Sequence, residues 1–357
     1  MSKDNHPDTA DKKPPLHCKL LKPYYLVPVF FLTVIAVYLI VQSRSSENLH
    51  VNYLMTMDTS VELRFTGGSS KDAVLIREDV VHEMERLEAL FSRSIAGSDV
   101  SLINDSAGLR PVRVDSEVLY VTERAVIYAG LSEGAFDPTI APLIDLWGFL
   151  GQNYRVPTAV ERIKSLPLVD YTLIEVDEKQ TTVYLQHQGM SLDLGGIAKG
   201  FIVDQALQVL MTAGVEHAFI NAGGDIGLIG SKPDGSPWRI GVRHPRDEEK
   251  IIAVLPAIGG AVVTSGDYQR VFEEEGVSYH HILDPETGLP ARELISVTII
   301  AQTAIEADAL STAVFVLGSA RGMALIEQLP GVEGILITPE LKILVSSGLV
   351  DIVELYP

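Results

Sequence analysis

Apolar positions along the chain follow two periods. In "DVVHEMERLEALF" (residues 79–91), Val80, Met84, Leu87 and Phe91 recur at three- and four-residue steps, which predicts an amphipathic helix. A second helix is expected in "TAVERIKSL" (158–166), where Thr158 and Glu161 have capping-box spacing. By contrast, "YTLIEVDEKQTTVYLQ" (171–186) alternates on both sides of a short polar turn and predicts two strands. "ISVTIIA" (295–301) reads as one buried strand. In "SLDLGGIAKGFIVDQAL" (191–207) an apolar step reaches Asp193, Gly195 and Gly196 turn the chain, and a helix follows at once. Its face carries Ala198, Ile202, Ala206, Val209 and Ala213, and Gly214 stands where it stops. One more helix is predicted in "TAIEADALSTAVFVLG" (303–318), opened by Thr303 and Glu306 in capping-box spacing and closed by Gly318. Interleaved strands and helices of this kind predict an α/β or mixed α+β fold, and periodicity does not choose between them.

The N-terminal part reads differently. Residues 1–23 form a polar tail with Lys12, Lys13, Lys19 and Lys22, and residues 24–42 then run 19 positions without a charge. That length spans a bilayer core as a helix. These lysines precede the span and only Arg44 lies close after it, so the positive-inside bias places the tail in the cytoplasm and the rest outside. A cleaved signal peptide is the competing reading, but the apolar run is longer than an h-region and "QSRSSENLH" offers no small-x-small cleavage site. Residues 43–51 then read as a linker, and residues 52–352, with no further linker, repeat or low-complexity tract, as one domain.

Composition narrows the classes. The hydrophobic content of 46% belongs to a chain with a packed core. Lys and Arg number 28 against 47 Asp and Glu, a net charge of −19, and no basic cluster offers a nucleic-acid surface. The single cysteine, Cys18, excludes an internal disulfide and a thiolate zinc site, and its place before the apolar run speaks against lipidation.

Three stretches carry candidate chemistry. A glycine-rich helix start with Lys199 in its first turn suits a phosphate, although a structural turn gives the same pattern. Asp193 is then the odd residue, because a carboxylate repels phosphate unless it binds a hydroxyl, a ring N–H or a metal. Asp308 and Thr312 stand at i and i+4, on one helix face, and together with a backbone carbonyl can serve a hard cation such as Mg²⁺; a surface aspartate beside a self-bonded buried threonine is the bland alternative. In "YHHILDPETGLP" the Asp284–Gly288 composition is a turn, and of the adjacent His280 and His281 only one faces a given side of a strand, where it can act as a proton acceptor. Phe136 and Asp137, before Pro138, have the chemistry to stack on and bond a planar ring. "INAGGDIGLIG" lacks the G-x-G-x-x-G order of a dinucleotide site, and neither a P-loop, an H-E-x-x-H nor a G-x-S-x-G is present.

Taken in order, "MDTSVELRF", "GAFDPTIAPL", "SLDLGGIAKGFIVDQAL", "INAGGDIGLIG", "VVTSGDYQRVF", "HHILDPETGLP" and "EADALSTAVFVLG" resemble the ApbE family, the FAD:protein FMN transferases, over roughly residues 52–352. The resemblance implies a single ApbE-like, T-fold-like catalytic domain of mixed α+β type that cleaves FAD, attaches FMN to a threonine of an exported acceptor and releases AMP. It implies magnesium on Asp308, Thr312 and the carbonyl of Gly196, flavin contacts at Met57, Ala135, Phe136, Asp137, Asp193 and Lys199, and His281 as general base. It further implies acceptors among membrane electron-transport subunits or other exported flavoproteins, and the anchor read at residues 24–42 makes the chain a single-pass protein of the cytoplasmic membrane with its catalytic domain on the periplasmic side. The chain departs from the family in having Gly195-Gly196 where Ser-Ala is common, "MDT" for Met-Gly-Thr, and no proline in "FSRSIAGSDVSLIND". Magnesium-dependent hydrolysis of FAD to FMN and AMP, or flavin binding without chemistry, are the alternative functions.

Overall fold

The computed structural model describes residues 49–67 and 69–356; the polar tail and the expected anchor at 24–42 lie outside them. The chain enters through β1 (Leu49–Thr56) and β2 (Thr59–Thr66), paired as an antiparallel hairpin. Strand β1 therefore begins inside what reads as linker in the sequence. Met57 and Asp58 both sit at φ 54°, the left-handed turn that matches strand twist and that asparagine or glycine usually supplies. Next come α1 (Ser70–Phe91), α2 (Asp99–Asp105), β3 (Val112–Arg113) and α3 (Ser116–Leu131). The predicted helix at 79–91 is the C-terminal half of α1, and Val80, Met84, Leu87 and Phe91 are its buried stripe.

A middle segment holds α4 (Ala141–Trp147), α5 (Ala159–Ser165), β4 (Ile174–Asp177) and β5 (Thr182–Leu185). The capping box of α5 forms as expected, with the Thr158 hydroxyl accepting from Glu161 N–H and the Glu161 carboxylate from Thr158 N–H. Strands β4 and β5 pair antiparallel around the predicted polar turn. The chain then runs through α6 (Ala198–Thr212), β6 (Ala218–Ala222), β7 (Asp225–Ile229), β8 (Trp238–His244), β9 (Asp247–Ala257) and β10 (Gly260–Gly266). It ends in β11 (Val271–Glu274), β12 (Val277–His280), β13 (Ser296–Ala301), α7 (Ala304–Gln328), β14 (Glu333–Ile337), β15 (Ile343–Val345) and β16 (Glu354–Leu355).

Eight strands form the central sheet in the order β1-β2-β6-β7-β10-β13-β14-β15, every neighbouring pair antiparallel. Those registers settle the fold class as α+β rather than parallel α/β. Period two then sorts side chains to two faces. From β10, Ala261 and Val263 join the helix-side core built on α1, α6 and α7, while Val262 joins the core beneath the small sheet β16-β9-β8. Helix α7 is long and apolar enough to cross a membrane, yet its apolar residues serve this core, with Ala307, Leu310, Val314 and Phe315 buried. It also runs past its expected end. Gly318 is a kink at φ 80°, where a Cβ would strike the Glu293 carboxylate, and that carboxylate accepts Ser319 N–H at 2.7 Å, so the next turn is caught from outside and the helix resumes.

Candidate active site

Helices α6 and α7 cross where their first turns touch. A Cβ on Gly200 would lie 2.2 Å from the Ala304 carbonyl oxygen, so only glycine allows this approach. Gly200 N–H donates to Asp308 Oδ2 at 3.0 Å. One turn further along α6, Asp204 accepts Ala304 N–H and Ile305 N–H at 2.8 and 2.9 Å. The expected capping box at Thr303 and Glu306 does not form; Thr303 makes no side-chain cap bond, and Asp204 from the neighbouring helix caps the first two amides of α7 instead. Ahead of α6, Gly196 brings bare backbone against α7: a Cβ there would sit 3.3 Å from both Thr312 Oγ1 and the Phe136 ring.

This crossing forms the floor of a cavity of about 210 Å³. Ala135, Phe136, Asp137, Asp193, Gly196, Lys199, His281, Asp308 and Thr312 all line it. Of the residues expected from sequence, Met57 alone is not among the walls; it packs against the main core at the β1–β2 turn and its N–H donates to Glu88 at 3.0 Å. A larger cleft of about 690 Å³, lined by Tyr120, Gln205, Gln208 and Met211, holds none of the expected residues and no comparable set of reactive groups.

The cavity is electrostatically unbalanced. Asp225, which no sequence motif singles out, is 2% exposed on the cavity wall and pairs with Lys199 Nζ at 3.1 Å. Burial pushes the Asp308 carboxyl well above the carboxylate range, Asp225 adds to that, and Lys199 and the Gly200 N–H only partly offset it. Burial works against the Lys199 ammonium, but Asp225 and Asp308 outweigh it and hold its pKa above the ordinary lysine value. Among the described residues, Asp225 Oδ2 makes no hydrogen bond beyond this ion pair, and the buried His281 Nδ1 has no partner. Two such atoms on one cavity mark places for a ligand.

The two histidines divide as the alternation requires. His280 Nε2 donates to the Ala291 carbonyl at 2.7 Å and Nδ1 accepts from Ile282 N–H, so its ring braces the β12 end against the 284–291 turn. His281 faces the cavity, edge-on to Phe149. Burial, then the Arg270, His280 and Lys199 charges, push its pKa down to about 3, so its imidazole is neutral near pH 7. Trp147 anchors the turn beyond it, its Nε1–H donating to the Gly288 carbonyl at 2.8 Å.

The acids on the opposite wall are already engaged. Asp137 takes Thr139 N–H and Oγ–H on one oxygen and Tyr171 N–H on the other, which fixes the loop rather than leaving a free carboxylate. Asp193 accepts Gly195 N–H and Arg93 Nε–H, both at 2.8 Å, and Arg93 reaches on to Asp145. Asn104 clamps the Leu192 backbone through both amide atoms, so the residue before Asp193 is held on both sides. Arg93 and Asn104 thus hold the turn that carries Gly195 and Gly196. No spacing rule singles out such partners 88 and 100 residues away.

Asp308 and Thr312 present a carboxylate and a hydroxyl on the same cavity, beside the Gly196 backbone. No group of three or more His, Cys, Asp or Glu among the described residues is arranged to hold a metal. That donor set does not suit zinc. It does fit a hard cation that takes one carboxylate, neutral oxygens and a substrate phosphate, and such an ion would favour the ionised form of Asp308 that burial disfavours.

The ApbE family matches residues 57–336. An FAD:protein FMN transferase of Treponema pallidum is 35% identical over 289 residues, 77% of this chain and 80% of its own. The crystal structure of an ApbE protein from Thermotoga maritima superposes with a TM-score of 0.79 at 38% identity, covering 84% of this chain and 98% of that one. The flavin transferase ApbE from Vibrio cholerae gives a TM-score of 0.77 at 28% identity, over 86% and 99%. The chain therefore belongs to the ApbE family.

Proposed function

We propose that this chain is an FAD:protein FMN transferase that works at the α6–α7 cavity, attaches FMN through a phosphoester to a threonine of an acceptor protein and depends on Mg²⁺. In the balanced step the threonine oxygen bonds to the phosphorus of the FMN half. The P–O bond to the AMP phosphate breaks, AMP leaves with the bridging oxygen, and the hydroxyl proton passes to His281. Phosphoryl transfer asks chiefly for positioning and charge stabilisation. Lys199, held by Asp225, supplies a fixed cation for the diphosphate. His281 is neutral and has a free Nδ1, as a base requires, and an anionic diphosphate beside it raises its pKa from the value in the free site. Asp308, Thr312 and the Gly196 carbonyl would hold the magnesium ion, which supplies Lewis-acid neutralisation of phosphate charge when bound.

The observation that carries the reading is the single cavity shared by Lys199, Asp225, His281, Asp308 and Thr312, with two buried polar atoms left for a ligand. The anchor at residues 24–42 would hold the domain on the outer face of the cytoplasmic membrane, beside exported acceptors such as electron-transport subunits. The test uses the full chain in detergent with FAD and Mg²⁺, with and without exported proteins from a strain lacking the enzyme. Protein-bound flavin formed with stoichiometric AMP supports transfer; AMP and free FMN at the same rate in both tubes support hydrolysis instead.

A further inference from the structure

A second cavity, of about 430 Å³, adjoins the first, because Thr264 and Gln269 line both. One of its walls comes from the β1–β2 hairpin with Tyr53 and Glu62, and the other from residues 240–243 of β8. Among the described residues, strand β8 is an edge strand of the small sheet, where it pairs only with β9. An unpaired strand edge presents main-chain donors and acceptors and is a template for another extended segment. Among the described residues, β1 of that hairpin exposes Leu49, Val51, Tyr53 and Met55 in alternation, an apolar row of which Tyr53 lines the groove. At the inner end Arg243 lies 4.8 Å over the Tyr268 ring, beside Gln269 and the entrance to the catalytic cavity.

We propose that this groove docks the acceptor polypeptide, which lies as an extended segment against the free edge of β8 and the β1 row and so delivers its hydroxyl past Thr264 and Gln269 into the catalytic cavity. The proposal rests on the transferase reading above. Such a reaction requires a protein chain to reach a phosphate inside a cavity of about 210 Å³, and this groove shares that cavity's wall. The larger cleft does not.

The test separates docking from chemistry by two readouts on the full chain in detergent. Acceptor-free AMP release from FAD reports the catalytic cavity. Acid-precipitable flavin, formed with the exported-protein fraction of a strain lacking the enzyme, reports transfer. A Tyr53→Ala/Arg243→Ala variant is expected to keep AMP release within about twofold and to lose transfer by about tenfold or more at limiting acceptor, recovering as acceptor is raised. A Tyr120→Ala/Met211→Ala variant in the larger cleft should keep both. Unchanged transfer in the groove variant overturns the proposal, as does loss of AMP release in parallel with transfer. A wild-type enzyme that releases AMP but labels no protein contradicts the transferase reading itself.

Discussion

Gly200→Ala tests whether the α6–α7 crossing sets the site. The added methyl would meet the Ala304 carbonyl oxygen at 2.2 Å, its carbon at 2.5 Å and Ile305 Cα at 2.8 Å, all backbone atoms with no rotamer to escape by. Contacts below 3.0 Å do not persist, so the first turn of α7 must retreat by about 0.8 Å. Overpacking of this kind costs about 1–3 kcal/mol, which in a domain of this size lowers Tm by roughly 2–10 °C. Asp308 moves with that turn, away from the Gly200 N–H it now meets at 3.0 Å and from the Gly196 backbone. Misplacement near 1 Å costs about 10²-fold in rate when reacting groups must be aligned. AMP release from FAD at saturating Mg²⁺, beside a thermal melt, measures both effects. Gly130→Ala on α3, where nothing lies within 4 Å of the new Cβ, is the control and should change neither. Wild-type Tm and rate in Gly200→Ala would refute the claim that this contact sets the site.

Replacing His281 by Ala should lower the rate by about 10²–10⁴-fold while FAD still binds, read by flavin fluorescence titration beside AMP release. In the free enzyme, with burial holding the His281 pKa at about 3, its ring proton resonance should not titrate between about pH 5 and 8. Asp308→Asn should weaken Mn²⁺ binding, measured by the EPR signal of the free ion, and lower FAD cleavage at fixed Mg²⁺; tight binding in that variant would remove Asp308 as a ligand. Burial raises the Asp204 carboxyl from 3.8 to about 6, so its contribution to stability is full below pH 3.8 and is lost as pH rises through about 6. Asp204→Asn should therefore flatten that part of the stability curve in urea titrations, and an unaltered slope would contradict the buried, bidentate geometry.

Local signals were legible in the sequence where local physics decides. The start of α6 after Gly196, the i and i+4 pair Asp308 and Thr312, and the opposite facing of His280 and His281 follow from helix and strand periods and recur in the structure. What failed depended on partners far along the chain. Thr303 looked like a cap because its spacing is right, but Asp204, 100 residues before Ala304, caps the first amides of α7 instead. Gly318 looked like an end because nothing nearby announces that Glu293 will catch the next turn. Asp225 was hidden because an aspartate after two glycines has the composition of any turn; only the fold brings Lys199 to it.

In the proposed function one cavity both cleaves FAD and hands its FMN half to a protein. Intact-mass spectrometry of an acceptor incubated with the full chain, FAD and Mg²⁺, beside Asp308→Ala, tests this. A mass gain equal to FMN less water is expected in the wild-type reaction, with an equal amount of AMP, and neither product with the variant. AMP and free FMN with no mass gain on any protein, or labelling that survives loss of Asp308, would contradict it.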